Sequence, residues 1–193
     1  MKLGKLLLAV ITATVLFGAL VGSASARNFS ISSQSKRASF ASMEFAGGFG
    51  TVRCEVVLEL TFHSRTFTKT VGTLLGYVTA ANVTRCASGG ATIDRATLPW
   101  HDRYQSFTGT LPNILTISKL ISGFSWRYRE PAFGVTCQVT NATLRNTYTL
   151  TAGVVSRADL SGTAPCSGIS GTYSGSTTNV DNRAGARLTI TLI

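Results

Sequence analysis

The stretch from Thr51 to His63 constrains the fold of this chain more than any other segment. Apolar side chains occupy every second position, and polar or charged side chains fill the positions between them, with Val57 as the single exception. The apolar set is Val52, Cys54, Val56, Leu58, Leu60 and Phe62. Because side chains alternate across a strand, this pattern predicts one long half-buried β-strand, whereas a helix would scatter the same residues around its axis.

Shorter segments with the same two-residue period follow along the rest of the chain. Two of them, over 123–129 and 133–140, alternate as cleanly as the first. Glycine, proline, asparagine and serine separate such segments, and no apolar pattern of helical period occurs after the first 26 residues. About ten short strands with regular turns predict an all-β fold, either an antiparallel β-sandwich or a small β-barrel.

The first 26 residues have the pattern of a secretory signal peptide. Two lysines precede an apolar run over 6–21, and Ala24-Ser25-Ala26 supplies small residues for cleavage. Residues 27–38 are polar, serine-rich and aperiodic, so we interpret them as a flexible N-terminal arm before a single all-β domain over 39–193. No second long apolar segment follows. The mature chain is therefore expected to be secreted, to the extracellular space or the cell envelope, without insertion into the membrane.

Four cysteines in an exported chain favour two disulfide bridges, for which three pairings exist. A Phe-Gly pair shortly precedes both Cys54 and Cys137, and a Thr-x-Gly turn precedes both Cys86 and Cys166. This internal similarity reflects either a diverged internal duplication or two unrelated sheet segments that follow the same sequence pattern. In both cases it favours the pairs Cys54–Cys86 and Cys137–Cys166. The main rival joins Cys54 to Cys137 across two sheets.

Residues with catalytic chemistry are few and scattered. His101 is followed by Asp102, but adjacent residues on a strand point to opposite faces. No G-x-S-x-G elbow marks a nucleophile, no C-x-x-C occurs, and no histidines stand at zinc-ligand spacing. Glu55 and Glu59 share a strand face, which is ordinary for exposed strand carboxylates. We therefore expect no enzymatic activity, no catalytic residues, no metal site and no cofactor.

Positive charge is the strongest functional signal in the chain. The formal net charge is +10 at pH 7, and removal of the two leader lysines leaves +8, nearly all of it arginine. A G+C-rich genome explains such an arginine bias as readily as a binding requirement does. Arg127 and Arg129 alternate with aromatic residues on a predicted strand, and together with Arg103 they define a candidate basic binding patch.

The aromatic residues of that strand are Phe124, Trp126 and Tyr128. A stripe of this kind can stack on sugar rings, but aromatic stripes on strands more often belong to the core. We interpret this stripe as core.

One segment resembles known proteins. Leu98-Pro99-Trp100-His101, followed by Phe107-Thr108-Gly109-Thr110-Leu111-Pro112, resembles uncharacterised secreted all-β proteins of G+C-rich bacteria. The resemblance extends over most of the mature chain, including the four cysteines. It implies export and a β fold, but no activity and no named functional family.

Together these features predict a secreted binding module of the cell envelope or extracellular space. Arginine forks suit phosphate and carboxylate groups, so an anionic cell-wall polymer or polysaccharide is the expected partner. Nucleic acid is not expected, because no recognised binding motif occurs and the chain is exported. A structural surface protein without a dedicated ligand is the alternative, and a secreted hydrolase comes third. The protein is expected to be a monomer.

Overall fold

The chain is built of antiparallel β-strands. The computed structural model describes residues 28–47, 50–130, 132, 134–166 and 169–193, without the side chains of 164–169. The predicted signal peptide lies outside the described residues. The strands within these ranges are β1 (Asn28–Ile31), β2 (Ser35–Gly47), β3 (Gly50–Phe62), β4 (Thr66–Thr68), β5 (Leu74–Cys86), β6 (Gly90–Ile93), β7 (Trp100–Thr108), β8 (Thr116–Arg129), β9 (Thr136–Thr151), β10 (Val154–Cys166), β11 (Ile169–Thr177), β12 (Val180–Asp181) and β13 (Ile190–Leu192). A short 3-10 helix, Arg95–Thr97, follows β6.

Eight of these strands close into a barrel. Their hydrogen-bonded order is β2-β3-β5-β7-β8-β9-β10-β11, and β11 pairs again with β2, with residues 172–175 opposite 43–46. Closure removes the free edges that an open sheet would expose to other chains. Opposite walls pack against each other as the two sheets of a sandwich do, since the ring of Phe45 on β2 contacts that of Trp126 on β8. The all-β antiparallel prediction is confirmed, and the pairing of β11 with β2 makes the sheet continuous.

The prediction of a flexible arm over 27–38 is wrong for the described part of that range. Phe29, Ile31 and Ala38 are at most 3% exposed, and they belong to β1 and β2. β1 lies between β13 and β4 in a small three-stranded sheet, whose buried residues share an apolar cluster with one end of the barrel. The alternation of β2 was hidden because a lysine, Lys36, occupies an inward position at its start.

The interior holds two apolar clusters that occupy different halves of the strands. The inward side chains predicted for β3 are all at most 2% exposed. All of them except Phe62 belong to the first cluster. Phe124, Trp126 and Tyr128 lie in the same cluster at 1–3% exposure, which confirms their interpretation as core. The second cluster includes Phe29 and Tyr148.

One of the two predicted disulfides is seen in the described part of the chain. Cys54 of β3 lies directly opposite Cys86 of β5, and the two are bonded. This confirms the predicted pair and excludes the rival bridge from Cys54 to Cys137. Cys137 is 1% exposed and is not a free thiol. The side chain of Cys166 lies outside the described residues, so the second bridge stays a prediction.

We expect non-reducing peptide mapping to recover Cys137 and Cys166 in one linked peptide pair. The two residues belong to the neighbouring strands β9 and β10. Because Cys54 and Cys86 are bonded to each other, Cys137 and Cys166 are each other's only possible disulfide partner within the chain. The Cys54–Cys86 pair serves as the internal control of the same digest. Alkylation of either Cys137 or Cys166 without prior reduction would contradict the second bridge.

Candidate functional site: an arginine-bearing wall and a polar layer in the core

Cross-strand ion pairs cancel most of the charge on the outer face of the β2–β3–β5 wall. The pairs are Arg37–Glu59, Arg53–Glu44 and Arg85–Glu55, with N–O distances of 2.7, 2.6 and 2.5 Å. The hydrogen bond from Arg85, followed by that from Thr84, lowers the pKa of Glu55. Exposed pairs of this kind add little to stability. Their consequence here is that this wall presents little uncompensated charge.

The outer face of the β7–β8–β9 wall has a different charge balance. It carries four exposed arginines, Arg103, Arg127, Arg129 and Arg145, and none of them has an acidic partner among the described residues. The one acid within these three strands is Asp102, whose side chain is 0% exposed and points into the barrel. Four guanidinium groups therefore face solvent without an ion-pair partner in the described part of the chain. We call this surface the arginine wall.

The four arginines form two groups along the arginine wall. Arg127 and Arg129 are alternate residues of β8 and share its outer face. Arg103 on β7 and Arg145 on β9 both lie directly opposite Leu120 of β8. Their Cα atoms are therefore separated by two strand spacings, which add up to about 10 Å. Along β8, the distance from Leu120 to Arg127 is roughly 20 Å. The structure thus separates Arg103 from the other two predicted binding residues and places it beside Arg145 instead.

Neutral acceptors hold three of these guanidinium groups in place. The acceptors are Gln138 Oε1 for Arg127 at 3.3 Å, Gly72 O for Arg103 at 3.1 Å, and Ser118 Oγ for Arg145 at 3.4 Å. Hydrogen bonds to neutral groups orient a guanidinium without cancelling its charge. Arg127 also borders a recess with a volume of about 240 Å³. The carboxylate of Asp94 lies at the same recess, where it accepts a hydrogen bond from Ala96 N and forms no ion pair with Arg127.

A layer of buried polar side chains crosses the barrel between the two apolar clusters. On β7, β8 and β9 the inward position that separates one cluster from the other is polar, namely Asp102, Lys119 and Asn146. Lys36 of β2 belongs to the same layer. All four are at most 3% exposed. We call these four residues the polar layer.

The two lysines of the polar layer converge on one aromatic ring. Lys119 Nζ donates a hydrogen bond to Asp102 Oδ2 at 2.7 Å and lies 4.1 Å from the centroid of the Tyr148 ring. Lys36 Nζ lies 4.3 Å from the same centroid. Ring faces attract cations, which offsets part of the cost of desolvating an ammonium group. Lys36 Nζ and Asp102 Oδ1 have no hydrogen-bond partner among the described residues.

The surroundings of Lys36 favour its uncharged form. Burial lowers the pKa of Lys36 well below its ordinary value, and the neighbouring charge of Lys119 lowers it further, while Asp102 acts in the opposite direction. Since Asp102 is already paired with Lys119, it offers little compensation to a second ammonium group. The polar layer therefore contains one ion pair beside a second lysine whose uncharged form is favoured.

Sequence reasoning missed the polar layer. The opposite orientation of His101 and Asp102 was predicted correctly, since His101 is exposed and Asp102 is buried. The available signal was a polar residue at an inward position of an alternating strand, as in Trp100-x-Asp102-x-Tyr104. Arg145 was missed because only the register of β9 against β8 places it near Arg103.

The fold and the arginine wall define a closed antiparallel all-β domain with one basic face. No family model matches the chain, and comparisons with curated proteins and with solved structures also found no match. The resemblance to secreted proteins of G+C-rich bacteria therefore stays a prediction. Within the described residues no helix is long and apolar enough to cross a membrane.

Proposed function

We propose that the protein is a secreted binding module that holds anionic polymers on its arginine wall. The observation that carries this proposal is the segregation of charge. Four exposed arginines lack acidic partners on β7, β8 and β9, whereas the exposed arginines of β2, β3 and β5 are paired. Arginine forks bind carboxylate and phosphate groups in a bidentate geometry. The Cys54–Cys86 bridge supports a location in an oxidising compartment outside the cytoplasm.

The spacing of the arginines favours an extended polymer over a single small anion. Arg127 lies roughly 20 Å, and Arg129 roughly 30 Å, along the wall from Arg103 and Arg145. One small anion reaches only one of the two groups, and an exposed ion pair contributes only about 0.2–1 kcal/mol. A linear polyanion that runs along β8 reaches both groups, so the second contact forms at a high effective concentration.

We expect charge removal on the arginine wall to weaken binding more than equal charge removal elsewhere. The test variants are R127Q/R129Q and R103Q/R145Q, and the matched control is R37Q/R53Q, which removes two paired arginines. Binding of fluorescent polygalacturonate, measured by anisotropy at low salt, should weaken roughly 2- to 30-fold in each wall variant and less in the control. Binding should fade as salt rises, because exposed charges are screened within about 8 Å at physiological ionic strength.

Three outcomes would count against this proposal. Equal losses in the wall variants and the control would mean that net charge acts diffusely. Equal binding of neutral dextran would remove the electrostatic basis. The absence of measurable binding at low salt would favour a structural surface protein without a dedicated ligand.

A further inference from the structure

Lys36 carries a primary amine inside the barrel, away from the arginine wall. Its side chain is 0% exposed, and its Nζ has no hydrogen-bond acceptor among the described residues. Lys119 Nζ approaches the same Tyr148 ring as Lys36 Nζ, at 4.1 and 4.3 Å from the ring centroid. A second ammonium without a partner at this place would cost several kcal/mol. Burial and the charge of Lys119 accordingly lower the pKa of Lys36, and both favour the unprotonated form of its amine.

An unprotonated lysine amine is a nucleophile, and a neighbouring cation is one of the recognised ways in which proteins keep a lysine unprotonated. The members of the polar layer are at most 3% exposed, so an electrophile that reaches Lys36 must be small and uncharged. Carbon dioxide meets both conditions. It dissolves in apolar media, and it adds to unprotonated amines but not to ammonium groups.

We propose that Lys36 is a carbamylation site, at which its amine takes up carbon dioxide and Lys119 holds the resulting carbamate. The proposal is independent of the arginine wall and of any polymer bound there.

The reaction balances within the polar layer. The lone pair of Lys36 Nζ forms the new N–C bond, and one C=O electron pair of carbon dioxide moves onto its oxygen. The proton that leaves Lys36 Nζ passes to Lys119, which gives one of its own protons to Asp102 Oδ2 along their 2.7 Å hydrogen bond. Before the reaction the layer holds an ammonium, a carboxylate and a neutral amine. Afterwards it holds an ammonium, a carbamate and a neutral carboxylic acid, so no net charge is buried.

The product also gives the Lys36 side chain a hydrogen-bond partner that its free amine lacks. The carbamate oxygens accept hydrogen bonds from the Lys119 ammonium, whereas Lys36 Nζ itself has no partner among the described residues. Buried polar groups without partners cost free energy, so their pairing should favour the carbamylated form.

Carbon-13 NMR of the isolated protein with labelled bicarbonate tests the proposal. After the leader, the only lysines are Lys36, Lys69 and Lys119, so three single variants assign every lysine carbamate signal and distinguish it from that of the α-amino group. We expect a bicarbonate-dependent carbamate signal that disappears in K36M and remains in K69M, which serves as the matched control on a partly exposed lysine. Bicarbonate should also raise the Tm of the wild type but not that of K36M, because a ligand bound only by the folded state stabilises it.

Chemical trapping of the carbamate with an alkylating oxonium salt, followed by peptide mapping, tests the wild type without any substitution. Trapping at Lys36 supports the proposal. The absence of a lysine carbamate at saturating bicarbonate, trapping at Lys69 alone, or a set of carbamate signals that is unchanged in K36M would each overturn it. These results do not depend on the outcome of the polygalacturonate experiment, so each proposal is tested independently of the other.

Discussion

Replacement of Asp102 by asparagine is expected to lower the free energy of unfolding by about 3–5 kcal/mol. Asp102 and Lys119 are 0% and 1% exposed, and their side chains form an ion pair at 2.7 Å in the barrel interior. D102N keeps the shape of the side chain but leaves the Lys119 ammonium without a counter-charge. The loss should be measured by urea denaturation, with E44Q as the control. That variant breaks an exposed pair and should change stability by less than about 1 kcal/mol.

A double variant separates the cost of the unpaired charge from the value of the pair itself. Replacement of both partners, as D102N/K119M, removes the uncompensated ammonium, so much of the lost stability should return. If D102N alone is as stable as the wild type, the ion pair does not form in solution. If the double variant is no more stable than D102N, the loss comes from altered packing around position 102.

Replacement of Lys36 by methionine is expected to stabilise the protein by about 1–4 kcal/mol near neutral pH in bicarbonate-free buffer. Lys36 is fully buried among Leu60, Phe62 and Tyr148, and its Nζ lacks a hydrogen-bond acceptor among the described residues. Methionine has a similar length and no polar atom that needs a partner. For a chain of this size, Tm should rise by roughly 2–4 °C for each kcal/mol.

The advantage of K36M should shrink as the pH is raised. The pKa of Lys36 is lowered in the folded state, while the unfolded chain has an ordinary lysine with a pKa of about 10.4. The unfolded wild type therefore binds a proton that the folded wild type does not, and wild-type stability rises with pH between these two pKa values. The slope is at most about 1.4 kcal/mol per pH unit, and K36M lacks it. Lys119, Asp102 and Tyr148 are present in both proteins, so the comparison isolates position 36.

K69M is the matched control for this prediction, because Lys69 is partly exposed. It should leave both the stability near neutral pH and the pH dependence close to those of the wild type. A K36M protein that is less stable than the wild type at every pH would contradict the neutral buried amine. A constant difference between the two proteins from about pH 8 to about pH 10 would contradict it as well.

The arginine wall shows where sequence reasoning succeeds and where it fails. Arg127 and Arg129 were correctly placed on an outward strand face, because their alternation with aromatic core residues is local. Whether they bind a polymer is a separate question, which the charge-removal variants address. Arg145 lies in a threonine-rich strand with no distinctive pattern of its own. Only the registers of β7 and β9 against β8 bring it beside Arg103, and register between strands depends on the whole sheet.

The polar layer was hidden for a related reason. The interpretation of sequence patterns assumes that charged side chains face water. With Lys36 assigned to the surface, the start of β2 shows no alternation, and residues 27–38 were therefore interpreted as a flexible arm. In the structure Lys36 faces inward, and the strand begins before it at Ser35. Its position depends on Asp102 of β7, Lys119 of β8 and Tyr148 of β9, which come together when the barrel closes. No local pattern carries that information.

Local sequence patterns were sufficient to predict the all-β class, the inward face of β3, the aromatic core of β8 and the Cys54–Cys86 bridge. Each of these depends on a period of two residues or on a comparison of short segments, and a strand keeps that period wherever it lies in a sheet. The tertiary structure alone decided that β11 returns to β2 and that two lysines meet one aspartate inside the barrel. It also decided that unpaired arginines gather on one wall. These features depend on contacts between strands far apart in the chain, where packing of the whole barrel sets the pairing and the register.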